Sequence, residues 1–341
     1  MSPSGGEKPD VGPSWRVPVA LDGERVDRTV ALLTGLTRSL AAELVGAGRV
    51  RVGGGAPVRS GSRRVHQGER LRIDGTLPVV DLMPTEALAD PSVTVPVIHV
   101  DDDVIVVDKP AGLVVHPGAG HARGTLVQGL VAAYPDLMDL VSGAHGDASL
   151  RPGIVHRLDR GTSGLLMVAR TEAARTSLVA QLAARTVERR YRALVVGTLA
   201  SDEGLIDAPL GRSSSDPTRR AVRADGREAR TTYSVISRFC SPLAATLVHC
   251  RLETGRTHQI RVHLAAIGHP LIGDGRYGGV GVGTGDAAST LADHDGRPWL
   301  HAETLGFDHP SSSRRLTFHS ALPDDLGAVL ARCGAPTGST R

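Results

Sequence analysis

The chain has 341 residues, of which 40 % are hydrophobic and 22 % charged, enough to bury a sizeable core and to predict a globular protein of two domains. Gly (41) and Pro (21) follow no period, which excludes collagen-like and wholly disordered classes; Cys240, Cys250 and Cys333 form no C-x-x-C pair, which excludes a disulfide scaffold and a zinc ribbon. The net charge of +3 is unevenly spread: residues 16–75 carry 11 Arg against 6 acids, residues 76–150 two basic groups against 10 acids, and residues 151–341 25 basic groups against 18 acids. The two basic blocks fit either a polyanionic partner or solvated arginine faces.

Residues 1–15 are rich in Pro, Gly and Ser without an apolar signal core and are expected to form a disordered tail. No later stretch is long and apolar enough to span a bilayer, so a soluble, cytoplasmic chain with no membrane partner is expected. Val26, Val30 and Leu33, then Leu40 and Leu44, predict two short helices within 24–48, with Thr37 or Ser39 as a cap and Gly46 or Gly48 as a stop. Strands are predicted at 49–52 and 71–73, with Gly53–Gly55 turning the chain between them. Residues 16–75 therefore form a small α/β domain, and 76–92, punctuated by Pro78, Pro84 and Pro91, a linker.

A second domain is expected over 93–330, with strands at 104–107, 164–168, 187–199, 229–236 and 244–252 and helices at 124–134 and 171–185, the latter capped by Thr171. This strand-heavy order without a βαβ repeat predicts an α+β class with a mixed, mostly antiparallel sheet. Residues 278–296, rich in Gly, Ala and Asp, read as a mobile insertion.

The densest chemistry lies in Gly153-Ile-Val-His156-Arg157-Leu-Asp159-Arg-Gly-Thr-Ser163-Gly-Leu-Leu166, a polar cluster between two apolar runs. Such a cluster needs partners, so Asp159 either caps a turn, pairs with Arg157, or performs chemistry. Lys109 is one of only two lysines, with Lys8, among 39 basic residues. It reads as a compact ammonium under an active-site sheet or as chance retention. Tyr191, one of four tyrosines, stands among Arg189, Arg190 and Arg192, as a stacking platform for a base or as core packing. Arg261 lies beside the apolar stripe Ile260, Leu264 and Ile267, on a solvated helix face or positioned to grip a carboxylate. His258 and His263 lack metal-ligand spacing, and the chain has neither a G-x-G-x-x-G in a βαβ setting nor a P-loop, so no metal and no nucleotide cofactor are expected.

The 153–166 string resembles the signature of the RluA/RluD-type family of RNA pseudouridine synthases, with Asp159 at the position of their catalytic aspartate. Lys109-Pro-Ala-Gly112 with Leu113-Val-Val-His-Pro-Gly118 is similar to the family's upstream block, Arg190-Tyr191-Arg-Ala193 to its tyrosine block, and Thr254-Gly-Arg-Thr-His-Gln-Ile-Arg261-Val-His263 to its arginine block. The N-terminal helices and hairpin, with Arg25, Arg28, Arg38, Arg49 and Arg51, resemble the RNA-binding domain shared with small-subunit ribosomal protein S-four, which points to the RluD-like branch. The resemblance implies a catalytic domain with a central cleft and isomerisation of uridine to pseudouridine in RNA, most of all in large-subunit ribosomal RNA, without a cofactor and as a monomer. It implies that Arg261 pairs with Asp159, that Tyr191 contacts the target uracil, and that Arg157 fills the gap left by a flipped-out uridine. His156, Lys109, Arg256, His258 and Gln259 are expected to bind substrate or line the cleft. Whether Asp159 acts as nucleophile or as general base, through a covalent adduct or a glycal, stays open. A catalytically silent RNA-binding or ribosome-assembly factor is the competing reading, and a metal-dependent hydrolase a more distant one.

Overall fold

A computed structural model describes residues 12–34, 36, 38–77, 89–117, 121, 123–141, 151–216, 218–278 and 297–337. Most of the expected tail, the centre of the expected linker, Thr37 and nearly all of the 278–296 insertion lie outside these residues. The chain divides into two compact units, one within 1–88 and 138–152, the other within 89–137 and 153–341.

In the first unit, β1 (Ser14–Arg16), α1 (Val26–Thr34), α2 (Arg38–Gly46), β2 (Val50–Val52), β3 (Pro57–Val58) and β4 (Arg70–Ile73) follow in order. The strands form one antiparallel sheet in the order β1-β4-β2-β3. The apolar residues that announced the helices, Val26, Val30 and Leu44, pack with Val50, Val52, Leu71 and Ile73 into one core. β1 and β3 were not expected; at three and two residues they are too short to display an alternation.

The second unit is built on a nine-stranded sheet ordered β5-β6-β7-β14-β8-β13-β12-β9, with β15 also paired to β14. Its strands are β5 (Val97–Val100), β6 (Val104–Lys109), β7 (Ser163–Ala169), β8 (Glu188–Val196), β9 (Glu203–Asp207), β12 (Arg230–Phe239), β13 (Ala245–Leu252), β14 (Leu300–Asp308) and β15 (Arg315–His319). A separate hairpin joins β10 (Leu210–Arg212) and β11 (Arg220–Val222). Every pairing in the large sheet is antiparallel except β7 with β14, so the fold is α+β with a mixed, mostly antiparallel sheet.

The helices are α3 (Leu126–Ala133), α4 (Glu172–Ala183), α5 (Gln259–Ala266) and α6 (Asp324–Arg332). α3 opens on a capping box in which Thr125 and Gln128 satisfy each other's end of the helix, and α4 on Thr171, whose hydroxyl accepts the Ala174 amide. Ala174 and Leu178 of α4 pack with Val106, Leu165, Met167, Val187 and Phe307 of the sheet. Leu326 and Val329 of α6 pack with Leu194, Leu247 and Trp299 in a second cluster.

The main element absent from the sequence reading is β14, which lies between β7 and β8. A register irregularity between Ala302 and Thr304 breaks its alternation, and this is the pattern by which a strand is recognised. Its close approach also explains a glycine of the signature. Gly164 has φ +112°, and a Cβ there would lie 2.3 Å from the Ala302 carbonyl oxygen, so no other residue fits without displacing β14. Along β8 the side chains alternate: Arg189, Tyr191 and Ala193 are buried, whereas Arg190 and Arg192 turn to the other face, where each approaches Glu303.

Candidate active site

Asp159 lies on the loop that leads into β7. The loop is fixed from below by Lys109, the last residue of β6, which is fully buried and whose Nζ donates to the carbonyls of Pro110 (2.7 Å), Leu113 (3.0 Å) and Arg160 (3.4 Å). Two further bonds tie the same strands of chain together: the Gly112 amide donates to the Arg160 carbonyl, and Arg160 Nε donates to the Gly112 carbonyl. A compact ammonium with three carbonyls in reach suits this space, and a planar guanidinium does not. Fully buried and bonded to backbone, Lys109 has no open side toward RNA, which corrects its expected substrate contact. Burial pushes its pKa down to about 7, with Asp159 pulling it up. Lys109 sits beneath the site and holds backbone.

The Asp159 carboxylate keeps 16 % exposure and has a nitrogen-bearing side chain facing each oxygen. Arg261 Nη1 lies 3.4 Å from Oδ2 and His258 Nε2 lies 3.9 Å from Oδ1. It makes no ion pair with Arg157, which is exposed and reaches the Thr257 hydroxyl at 3.5 Å. Arg261 is buried, which corrects the solvated-face alternative: α5 buries six consecutive residues, Gln259 to Leu264, so it has no wet stripe there.

The principal partner of Arg261 is a residue the sequence reading missed. Nε and Nη2 form a two-pronged pair with Asp274 Oδ2 and Oδ1 at 2.7 and 2.9 Å. Burial works against the Arg261 charge, and the Asp274 contacts outweigh it, raising its pKa. Asp274, 1 % exposed, thus holds the guanidinium while Nη1 is left for Asp159. Tyr277 was missed as well: its ring lies 5.0 Å from the Arg261 guanidinium carbon, and its hydroxyl is 2.7 Å from His258 Nδ1. The only available signal was Gly273-Asp274-Gly275-Arg276-Tyr277, which reads as the start of a glycine-rich turn.

Tyr191 is buried to 6 % exposure, and its hydroxyl has no hydrogen-bond partner among the described residues. Burial pushes its pKa up to about 12, opposed by Arg189 and assisted by Asp159, so the phenol keeps its proton at neutral pH.

Two expected cleft residues are committed elsewhere. Gln259 uses its whole capacity internally: Oε1 accepts from the Thr254 hydroxyl (2.7 Å) and the Arg256 amide (3.0 Å), while Nε2 donates to the Arg230 carbonyl (2.8 Å) and the Thr231 hydroxyl (3.0 Å). It shapes the 254–258 loop and has no group left for RNA, which corrects its expected role. His156 Nε2 accepts the Met167 amide at 3.1 Å, and burial, with Arg189 adding, pushes its pKa down to about 3. It is a neutral brace between the Asp159 loop and β7, with Nδ1 outside that bond. Arg256 is half-buried, and its Nε donates to the Glu228 carbonyl.

In the N-terminal unit, several arginines expected to contact RNA are engaged in the fold. Arg25 pairs with Asp27 at 2.7 Å, Arg28 with Glu24 at 2.7 Å and Arg51 with Asp74 at 2.6 Å, and Arg49 donates to the carbonyls of Asp74 and Thr76. The Arg38 side chain lies outside the description. Arg59, Arg63 and Arg70 are exposed and have no ion pair among the described residues.

Comparison with known proteins places this geometry. The RNA pseudouridylate synthase family matches residues 103–266, a span that contains Lys109, Asp159, Tyr191 and Arg261. An uncharacterised RNA pseudouridine synthase of Bacillus subtilis is 42 % identical over 308 residues, covering 90 % of this chain and 93 % of the relative. The chain belongs to the RluA/RluD-type family of RNA pseudouridine synthases. It is accordingly an isomerase that converts uridine to pseudouridine in RNA. Ribosomal large subunit pseudouridine synthase D of Xanthomonas campestris is also 42 % identical, over 320 residues, with 92 % of this chain and 90 % of that one covered. The solved structure of human RNA pseudouridylate synthase domain containing 1 has a TM-score of 0.54 at 24 % identity, covers 73 % of this chain and 91 % of its own, and shares the fold. In this pseudouridine synthase the four motif blocks converge on one site, and Asp274 and Tyr277 complete it from beyond the matched span.

Proposed function

We propose that this pseudouridine synthase modifies uridines of large-subunit ribosomal RNA, with Asp159 as the reacting carboxylate and without a cofactor. The observation that carries the chemical part is the Asp159 carboxylate itself, part-exposed, facing Arg261 and His258, with Tyr191 buried nearby. The substrate part rests on relatives named as ribosomal large subunit pseudouridine synthase D in Xanthomonas campestris and Pseudomonas aeruginosa.

The reaction breaks the bond from ribose to the uracil nitrogen, turns the uracil in place and joins its fifth ring carbon to the sugar. The proton displaced from that carbon is balanced by one gained at the freed nitrogen, so no group is lost and no oxidation state changes, and the residues of the chain suffice. Asp159 attacks as a nucleophile or removes a ribose proton as a base, and both routes begin from an ionised carboxylate. Arg261 favours that state, and Asp274 fixes its direction. Tyr191, protonated and aromatic, offers a surface for the flipped base. Arg157, exposed on the same loop, is placed to occupy the gap in the RNA stack. The N-terminal unit supplies further phosphate contacts through exposed arginines.

Pseudouridine mapping of ribosomal RNA from a strain lacking the gene tests the reading. Specific large-subunit positions should revert to uridine and be restored by the wild type but not by Asp159→Asn. An unchanged large-subunit profile, with loss of pseudouridine from transfer RNA instead, would replace the substrate assignment.

A further inference from the structure

His258 caps the N-terminus of α5 in the left-handed region, at φ +58°, a conformation that costs a non-glycine residue energy and persists where surrounding contacts enforce it. Its imidazole is held at one end and faces the carboxylate with the other. Nδ1 lies 2.7 Å from the Tyr277 hydroxyl, with the two rings edge to face at 76° and 5.6 Å between centroids. Nε2 faces Asp159 Oδ1 at 3.9 Å. The Tyr277 oxygen in turn accepts the Arg220 amide at 3.0 Å.

This chain of contacts has a direction. A backbone amide can only donate, so the Tyr277 oxygen is an acceptor toward Arg220, and the phenolic proton finds its acceptor in His258 Nδ1. The tautomer of a neutral imidazole is set by the bond its other nitrogen makes, so an accepting Nδ1 places the proton on Nε2. In the opposite tautomer, an Nε2 lone pair would face the Asp159 carboxylate, and the phenolic proton would have no acceptor among the described residues. The groups facing His258 are Asp159 and Asp274, which favour its charge, and Arg261 and Arg276, which oppose it; burial, acting with the two arginines, prevails over the carboxylates and lowers its pKa, so the neutral ring is favoured.

We infer that Tyr277 and His258 form a positioning relay that presents an Nε2–H to Asp159 Oδ1, so that each carboxylate oxygen has its own donor, His258 on Oδ1 and Arg261 on Oδ2. The relay rests on Asp159 being the reacting carboxylate. Its effect is to hold the carboxylate plane against rotation, so that the same oxygen meets the nucleotide at each encounter. At 3.9 Å the His258 contact is longer than a hydrogen bond, and the relay requires it to tighten when RNA is bound. A Tyr277 ring without its hydroxyl would still pack against Arg261 but would free the imidazole to change tautomer.

The test reads tautomer and rate separately. In nitrogen NMR of the labelled wild-type protein without RNA, His258 should carry its proton on Nε2 at neutral pH. Tyr277→Phe should lose that preference and slow single-turnover pseudouridine formation by roughly 10-fold or more, with the RNA dissociation constant within about twofold of wild type. A wild-type His258 protonated on Nδ1, or on both nitrogens, overturns the relay whatever the variant does. A folded Tyr277→Phe protein with the wild-type single-turnover rate overturns it too. Neither result touches the assignment of Asp159, which is decided by Asp159→Asn alone.

Discussion

The paired arginines of the N-terminal unit and Arg261 of the catalytic unit stand in opposite settings. In the N-terminal unit Arg25 meets Asp27, Arg28 meets Glu24 and Arg51 meets Asp74, with Arg side-chain exposures of 41 %, 55 % and 33 %. An exposed pair such as Arg28 with Glu24 contributes about 0 to 1 kcal/mol. In the catalytic unit Arg261 is 10 % exposed in its side chain and joins Asp274, 13 residues away, and Asp159, 102 residues away. Buried charge of this kind contributes geometry more than stability, because its desolvation consumes most of the attraction. Exposed arginines should govern affinity and its salt dependence, and buried ones the rate.

The sharpest way to break this division is to leave Arg261 without its partner. Asp274→Asn should lower folding stability by about 3 to 5 kcal/mol and slow single-turnover conversion, because a buried guanidinium is left without its two-pronged acceptor. Urea unfolding and a rate at saturating RNA measure both, and a variant with wild-type stability and rate would show that Arg261 does not depend on Asp274. A smaller effect is expected at Tyr191. Tyr191→Ala should weaken engagement of the flipped base by about 1 to 3 kcal/mol, whereas Tyr191→Phe keeps the ring; equal behaviour of the two variants in a binding assay would remove the platform role.

The neutral brace His156 gives a prediction in pH. Its value in the folded protein, about 3, lies below the ordinary 6.5, so as pH falls through that window the unfolded chain takes up a proton that the folded one refuses. Stability should decline from pH 6.5 toward 3, and His156→Asn should decline less over the same range in acid titrations followed by circular dichroism. Smallest per residue are the exposed arginines. Replacing Arg59, Arg63 and Arg70 by Gln should flatten the slope of log affinity against log salt by roughly 0.7 to 0.9 for each phosphate no longer neutralised, with the rate at saturating RNA unchanged.

What the sequence disclosed follows the same division. Asp159, Tyr191 and Arg261 sit within contiguous motif strings, and the helices α1, α2 and α4 announce themselves by apolar spacing and, for α4, by the cap Thr171. Asp274 and Tyr277 were illegible because their meaning comes from contact with α5, and their own segment spells only a turn. β14 was hidden by its irregular register, although it lies beside both strands that frame the site. Gln259 was misread because a polar residue in a motif looks functional, and only the bonds show that its capacity is already used. α6 was readable in principle: Pro323 followed by Asp324 and Asp325 marks a helix start, and Leu326, Val329 and Leu330 define its buried stripe.

The central claim is that Asp159 performs chemistry and does not merely hold the loop. Asp159→Asn, nearly isosteric, should be assayed for pseudouridine formation and for RNA affinity in the same buffer. The account predicts no detectable product in single turnover with a dissociation constant within about twofold of wild type, since the amide can be neither nucleophile nor base. Product formed near the wild-type rate, or an affinity that falls in parallel with activity, would contradict it.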